Sequence, residues 1–428
     1  MPPLPTPRAL ALDLLATLLD RGRLLDELLD DRRLARLDER DRAFVRLLLA
    51  TTLRRLGQID ALIEACLDRP LGPRAARVSH ALRLGVCQLL FLDLAPHAAI
   101  STTVDLVKHT PHAGFAGLIN AVLRRLARDG AAMVAVQDAA MLNTPDWLWR
   151  SWCAAYGEDT TRAIAAAHLS EAPLDLSVAA DPADWAERLE AEILPTGSLR
   201  RPAGGAVSRL PGFDSGAWWV QDAAAALPAR LLGTVRGRRV ADLCAAPGGK
   251  ALQLAAAGAE VTAVDRSAAR LERLAANLAR LGLTARVVAA DAAAWTPGES
   301  FDAVLLDAPC SATGTLRRHP DVARHKSPGD VTALAATQAR LLDAAAGLLA
   351  PGGLLVYCVC SMQPEEGPEQ IERLLAAGAP FERVPIHPDE VGGLAELITP
   401  AGDLRTLPIH LGAQGGMDAF FAARLRRG

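Results

Sequence analysis

The sequence predicts a multidomain chain: an all-α bundle at the amino end, a small α+β middle region, and a carboxyl-terminal α/β domain on a mostly parallel sheet. Three observations carry this. From about residue 7 to 130, apolar residues recur only at helical spacing. Between about 140 and 225, short mixed runs are broken by Gly204-Gly205, Pro211-Gly212 and Gly216. From about 226 onward, strand-like apolar runs alternate with helical ones. The expected divisions are 1–135, 136–225 and 226–428.

In the first region, Leu118, Ile119, Val122, Leu123 and Leu126 follow Phe115 as one helix face, with Arg124, Arg125 and Arg128 on the polar side. Ile100, Val104 and Val107 form a similar stripe after Pro96, with Ser101 as a candidate cap. In the middle region, Trp147, Trp149 and Trp152 cluster after Pro145. Leu174–Val178 alternates as a half-buried strand does, and Trp218-Trp219-Val220 leads toward an alanine-rich helix. Such tryptophans more often fill a small core than stack on unpaired bases. In the last region the strand candidates are Val240–Leu243, Val261–Val264, Arg286–Ala289, Ala303–Leu306 and Leu354–Tyr357. Helices are expected near 250–257, 267–281 and 331–349, and Ala419–Leu425 reads as a final strand.

A net charge of −3 and a pI near 6.3 do not describe a chain coated with nucleic acid. The charge is uneven, however: residues 1–130 carry +4 and the remainder −7, which points to a polyanionic partner at the amino end. The seven cysteines are an odd set with no Cys-x-x-Cys pair, so reduced thiols are expected and no metal site. Met1-Pro2-Pro3-Leu4-Pro5 lacks the basic region of a signal peptide. No run approaches about 18 apolar residues. The reading is a cytoplasmic monomer without a membrane span.

Chemistry concentrates where strands end, because in an open α/β sheet the ligand crevice lies past their carboxyl ends. Asp307-Ala308-Pro309-Cys310-Ser311 follows one apolar run and Tyr357-Cys358-Val359-Cys360-Ser361 another. A thiol beside an acid suits covalent attack on an electron-poor ring such as cytosine. Cys310, Cys358 and Cys360 all compete for that role. Cys358 and Cys360 share a strand face, with Cys360 nearer the crevice.

An earlier strand ends in Asp242-Leu243-Cys244-Ala245-Ala246-Pro247-Gly248-Gly249-Lys250. Cys244 and Ala251 exclude a P-loop, and no Gly-x-Gly-x-x-Gly is present. Asp265 is placed to accept hydrogen bonds from ribose hydroxyls and Asp291 to meet an adenine edge. A nucleoside without phosphate but with positive charge fits these acids. S-adenosylmethionine is such a ligand, and its cationic groups favour Asp242 and Asp307.

In these motifs, residues 226–428 resemble the RNA cytosine-5 methyltransferases: Asp-x-Cys-Ala-Ala-Pro-Gly-Gly-Lys, Asp-Ala-Pro-Cys-Ser and the late Cys-Ser stand in that family's order. The amino-terminal helices resemble the NusB RNA-binding fold through Leu82-Arg83-Leu84-Gly85, Gln88–Leu92 and Ile119–Arg125. The resemblance implies a class I, Rossmann-like methyltransferase with a seven-stranded sheet whose last strand is antiparallel. It implies S-adenosylmethionine as cofactor, held by Cys244 to Lys250 with Asp265, Asp291 and Asp307. It also implies ribosomal RNA as partner rather than DNA, Cys360 as nucleophile, and Cys310 as the residue that assists product release. Val359 stands where the family usually has Thr, Ala312 where Gly is common, and Asp418-Ala419-Phe420-Phe421 where Asp-Gly-Phe-Phe is usual.

Carbon 5 of cytosine is too weak a nucleophile until a thiolate adds at carbon 6. Asp307, protonated or sharing a proton with ring nitrogen 3, would stabilise that adduct. Arg317, Arg318, His319, Arg324, His325 and Lys326 form a basic stretch expected to contact the RNA backbone, as are Arg124 and Arg125. Two other readings share these features: the same chemistry on transfer RNA, and a non-catalytic RNA-binding or antitermination factor with a vestigial methyltransferase domain.

Overall fold

The computed structural model describes Thr6–Gly428 and separates into two compact units: residues 6–170 with Arg318–His325, and Glu171–Arg317 with Lys326–Gly428. The Met1–Pro5 stretch, read above for signal-peptide character, lies outside the described residues. Among the described residues no helix is long and apolar enough to cross a membrane.

The first unit is helical. Among the described residues its five longest helices are Pro7–Arg21, Glu39–Arg54, Ala76–Leu90, Pro96–Lys108 and Ala116–Ala135. Thr6 Oγ1 caps the first by accepting from the Ala9 amide, and Pro7 opens it where no N–H is needed. The last buries Ile119, Val122, Leu123 and Leu126 and leaves Arg124 and Arg125 exposed, as the periodicity requires. Ser101 is not a cap: Pro96 opens that helix, and the Ser101 hydroxyl turns back to the Ala98 carbonyl at 3.5 Å. Gly85 lets three helices cross, since a Cβ there would lie 2.8 Å from Leu123 Cδ1 and 2.9 Å from Thr103 Cγ2.

The Arg318–His325 segment packs within this unit. Asp321 accepts from the Leu25 amide at 2.9 Å, His319 Nδ1 lies 3.3 Å from Asp26, and Arg324 donates to the Asn143 carbonyl at 3.4 Å. His319 and Arg324 therefore have protein partners, contrary to the expectation of a loop reserved for RNA.

The second unit holds two sheets. The smaller is antiparallel, in the order Glu192–Ile193, Leu199–Arg201, Leu174–Val178, Trp218–Val220. Trp218 is buried against Leu176 and Leu199, and Trp152 is fully buried with its ring 5.6 Å from that of His168, so both serve as packing. The alanine-rich stretch after Val220 forms turns and only a four-residue helix, Leu227–Arg230. Side chains claim its amides: Asp175 accepts from Ala223 and Asp222 from Ala224. Buried Arg200 holds Asp175 through two hydrogen bonds of 2.7 and 2.6 Å.

The strands of the larger sheet are β1 (Arg239–Leu243), β2 (Glu260–Asp265), β3 (Arg286–Ala289), β4 (Phe301–Asp307), β5 (Leu349–Val359), β6 (Phe381–Arg383) and β7 (Phe421–Arg427). Their order is β6-β7-β5-β4-β1-β2-β3, and the two-residue strand Leu404–Arg405 pairs with β7 as an eighth member beyond the expected seven. β1 to β5 are parallel; β7 runs antiparallel to β5 and β6. Val240, Ala241, Val304, Leu305, Leu306, Leu355 and Val356 are buried, the near-continuous apolar pattern of central strands covered on both faces. β6 and the helix Pro368–Ala376 were not anticipated from the sequence. Registers of Leu243 with Leu306 and of Asp307 with Cys358 bring the ends of β1, β4 and β5 together.

Removing Arg200 should leave Asp175 as an uncompensated buried carboxylate. Arg200→Met is expected to destabilise the second unit by about 3–5 kcal/mol, read as a lowered urea midpoint for that transition.

Candidate active site

Three strand-end loops build the site. The first follows β1. Cys244 adopts φ 61°, a left-handed turn that swings the chain out of the sheet. Asp265, at the end of β2, fixes this loop: its carboxylate accepts from the Ala246 amide at 3.2 Å and the Ser267 amide at 2.9 Å, with Arg270 3.5 Å away. Gly248 has φ 116°, and a Cβ on it would meet Leu274 at 3.0 Å. Lys250 lies in the first turn of the helix Gly249–Ala256 and reaches Asp307 Oδ2 at 2.7 Å, with its Nζ 4.9 Å from the centre of the Phe420 ring. Asp291 is exposed past β3, and its Oδ1 accepts from the Ala293 amide at 3.0 Å.

Asp242 is fully buried, and neither of its oxygens has a hydrogen-bond partner. Burial, with the neighbouring charge of Asp307 and against the pull of Lys250, pushes its carboxyl up to about 8. An orphaned buried carboxylate beside Asp307 is the feature a cationic ligand would satisfy. Burial alone would lower the Lys250 ammonium, but Asp307 and the Cys358 and Cys360 sulfurs outweigh it and raise it. The lysine stays charged among three acids and the thiols. These residues fit S-adenosylmethionine, with Cys244 to Lys250, Asp242, Asp265, Asp291 and Asp307 as the groups that would hold it.

The thiols sort by environment. Cys358 is fully buried, its sulfur 3.5 Å from Asp307 Oδ1, and burial with that carboxylate raises it well above the ordinary thiol range. Cys244 is pushed up to about 12, first by burial and then by the surrounding aspartates. Cys310 and Cys360 are both half-buried at the mouths of their loops, with sulfurs 3.4 Å apart. Contact with Cys360, then burial and charge on Cys360 and Glu366, push Cys310 well up. Cys360 is the thiol at the end of β5 beside the charged lysine.

Sequence reasoning missed the residues that brace these loops. Ser311 and Ser361, each immediately after one of the paired cysteines, share the carboxylate of buried Glu366. The Gly314 amide donates to the Cys360 carbonyl at 3.0 Å, and a Cβ on Gly314 would overlap the Ala419 carbonyl oxygen at 2.1 Å. A Gly-x-Gly-free loop and a Pro-Glu-Glu run carry no signal for such contacts.

Of the basic residues expected to meet RNA, Arg317 is the most deeply buried. It is 2 % exposed, between Asp222 at 3.4 Å and Asp418 at 3.7 Å, and is a structural cation. Arg318 is exposed, as are Arg124 and Arg125.

Residues 229–426 match the family model described as 16S rRNA methyltransferase RsmB/F, and residues 5–128 match the NusB family. The chain is 40% identical over 396 residues to ribosomal RNA small subunit methyltransferase B of Xanthomonas campestris, covering 89% of this chain and 90% of the relative. It is 40% identical over 435 residues to the Xylella fastidiosa protein of the same name, with 98% and 97% covered. Among solved structures, PH0851 shares the fold at a TM-score of 0.78 and 22% identity, covering 98% of this chain and 99% of that one.

A carboxyl raised to about 8 stabilises the fold below the unfolded value near 4 and loses that contribution as pH rises through 8. Without cofactor, the urea midpoint should therefore fall between pH 6 and 8.5, and Asp242→Asn should flatten that slope. Ala312 sits at φ 58°, so Ala312→Gly should stabilise the second unit by about 1 kcal/mol, read in the same unfolding experiment.

Proposed function

Since the chain belongs to the 16S rRNA methyltransferase RsmB/F family, we propose that it methylates carbon 5 of a cytosine in 16S ribosomal RNA through a transient Cys360 adduct. The observation that carries this is the pair of sulfurs 3.4 Å apart at the ends of β4 and β5, beside the Lys250–Asp307 pair.

S-adenosylmethionine supplies the electrophilic methyl group. Cys360 Sγ, as thiolate, adds to carbon 6 of the cytosine, and the ring becomes an enamine nucleophilic at carbon 5. After methylation, a base takes the carbon-5 proton, and the carbon–sulfur bond breaks to return the Cys360 thiolate. Cys310, held as a thiol, stands next to Cys360 to assist that release. Asp307 faces the ring as well as the cofactor, where it would share a proton with ring nitrogen 3 while Lys250 fixes its orientation. The target base must be unstacked to enter, because stacking and the deep A-form major groove hide cytosine in a helix. Arg124, Arg125 and Arg318 are the exposed cations on this reading for the RNA backbone, and their contribution should weaken as salt rises. The substrate is RNA rather than DNA, met in the cytoplasm by a single copy of the chain.

Incubated with unmodified 16S ribosomal RNA and labelled cofactor, the protein should leave 5-methylcytosine at one site. Cys360→Ser should abolish turnover and form no adduct, whereas Cys310→Ser should accumulate RNA bound to protein, seen as a band stable to denaturant. Exchange of these two outcomes would exchange the roles of the cysteines.

A further inference from the structure

Glu366 lies in a short turn, Pro364–Glu366, that follows β5, and its side chain is fully buried. A buried carboxylate is costly unless its lone pairs are filled. Here four donors fill them. Ser311 contributes its amide at 2.8 Å and its hydroxyl at 2.5 Å, Ser361 its hydroxyl at 2.5 Å, and Gln338 its Nε2 at 3.1 Å. Gln338 Nε2 also donates to the Pro309 carbonyl at 2.9 Å, so Gln338 ties the loop before Cys310 to the same carboxylate. The Glu366 carbonyl in turn accepts from the Tyr357 hydroxyl at 2.5 Å, which anchors its turn to β5.

The two serines are the residues directly after Cys310 and Cys360. They come from segments fifty residues apart, and their hydroxyls lie 3.1 Å from each other. One carboxylate therefore grips both thiol-bearing loops one residue beyond each sulfur. Strand pairing alone stops short of this: β4 and β5 end at Asp307 and Val359, before either cysteine.

We infer that Glu366 is the positioning residue of the thiol pair, a shared anchor that sets the spacing and orientation of Cys310 against Cys360. This rests on the covalent reading above. The division of labour follows from the geometry. The Ser361 arm holds the nucleophile, and the Ser311 arm holds the releasing thiol. The fixed negative charge also opposes a second one on Cys310, consistent with the contribution of Glu366 to the raised Cys310 thiol. A charge-assisted hydrogen bond from a hydroxyl to a buried carboxylate is short and strong, so the anchor tolerates little play.

The test separates placement from folding. Full-length protein is treated with dibromobimane, which fluoresces when it bridges two neighbouring thiols, in the absence of RNA and cofactor. Glu366→Gln keeps the side chain's shape but presents an amide to donors. It should slow bridging of Cys310 and Cys360 about tenfold and lower kcat about 100-fold, with KM for RNA and cofactor within about threefold. Ser361→Ala should slow adduct formation in single turnover, whereas Ser311→Ala should form adduct normally and release it slowly. Should Glu366→Gln fail to fold, the two serine variants carry the test alone. Parental bridging and kcat in folded Glu366→Gln would overturn the inference, and so would identical kinetic defects in Ser311→Ala and Ser361→Ala. The bridging assay involves no methylation, so it stands even if Cys360→Ser proves active, a result that would defeat the covalent reading instead.

Discussion

The site depends on one pairing: parallel strands β4 and β5 in the register that sets Asp307 beside Cys358. A side chain at a strand end is aimed by the strand, and two ends in register are aimed at one another. Shifting either strand by one residue would turn its alternate side chains to the opposite face. Cys360 would then take the face now held by Tyr357 and Val359, in the apolar layer, instead of pointing toward Cys310. The buried runs Ala303–Leu306 and Leu355–Val359 make that slip costly, because both sheet faces are packed and the pairing cannot relax. The chemistry is thus fixed first by hydrophobic burial and only then by hydrogen bonds.

Charge is the second constraint. Asp242, Asp265 and Asp307 converge with one lysine, and the unpartnered Asp242 marks the imbalance. A fold does not retain an orphaned buried carboxylate for stability, since an apolar residue of like size would serve better there. The group is intelligible as half of an interaction completed by a cation. The same field acts on the thiols. It raises Cys358 and Cys244 by adding negative charge to burial, while Cys310 is raised first by its contact with Cys360.

Much of this was legible in the sequence. Strand ends were readable because apolar runs stop abruptly at Asp242, Asp265 and Asp307, and the thiols were visible as rare residues past those ends. The helical face through Ile119, Val122 and Leu126 was readable from spacing alone. What failed has a common cause. Arg317 looks like a surface cation in a basic run, yet Asp222 and Asp418, distant in sequence, enclose it. Glu366 looks like a solvated acid, yet Ser311 and Gln338 reach it from other segments. In both, the decisive partner is non-local, and a charged residue's burial follows from its partners rather than its own type. The alanine-rich stretch after Val220 failed differently: its helix propensity was overridden by Asp175 and Asp222 capturing its amides.

The departures from the family pattern fall on opposite sides of this logic. Val359 ends β5, between Cys358 and Cys360 and opposite Phe421 of β7, with its side chain in the apolar cluster of Tyr357, Val304 and Phe421. Its side chain lies on the strand face opposite Cys358, so Val in place of Thr exchanges a hydroxyl for a methyl in packing and leaves Cys360 where the strand puts it. Ala312 is the harder case, because its left-handed backbone disfavours any Cβ. The loop retains that conformation because both sides of it are held. Ser311 is bound to Glu366, and Gly314 is bound to the carbonyl of Cys360 and, through its own carbonyl, to the Ala419 amide. The alanine is carried in a strained turn by neighbours that cannot move without separating the two sulfurs.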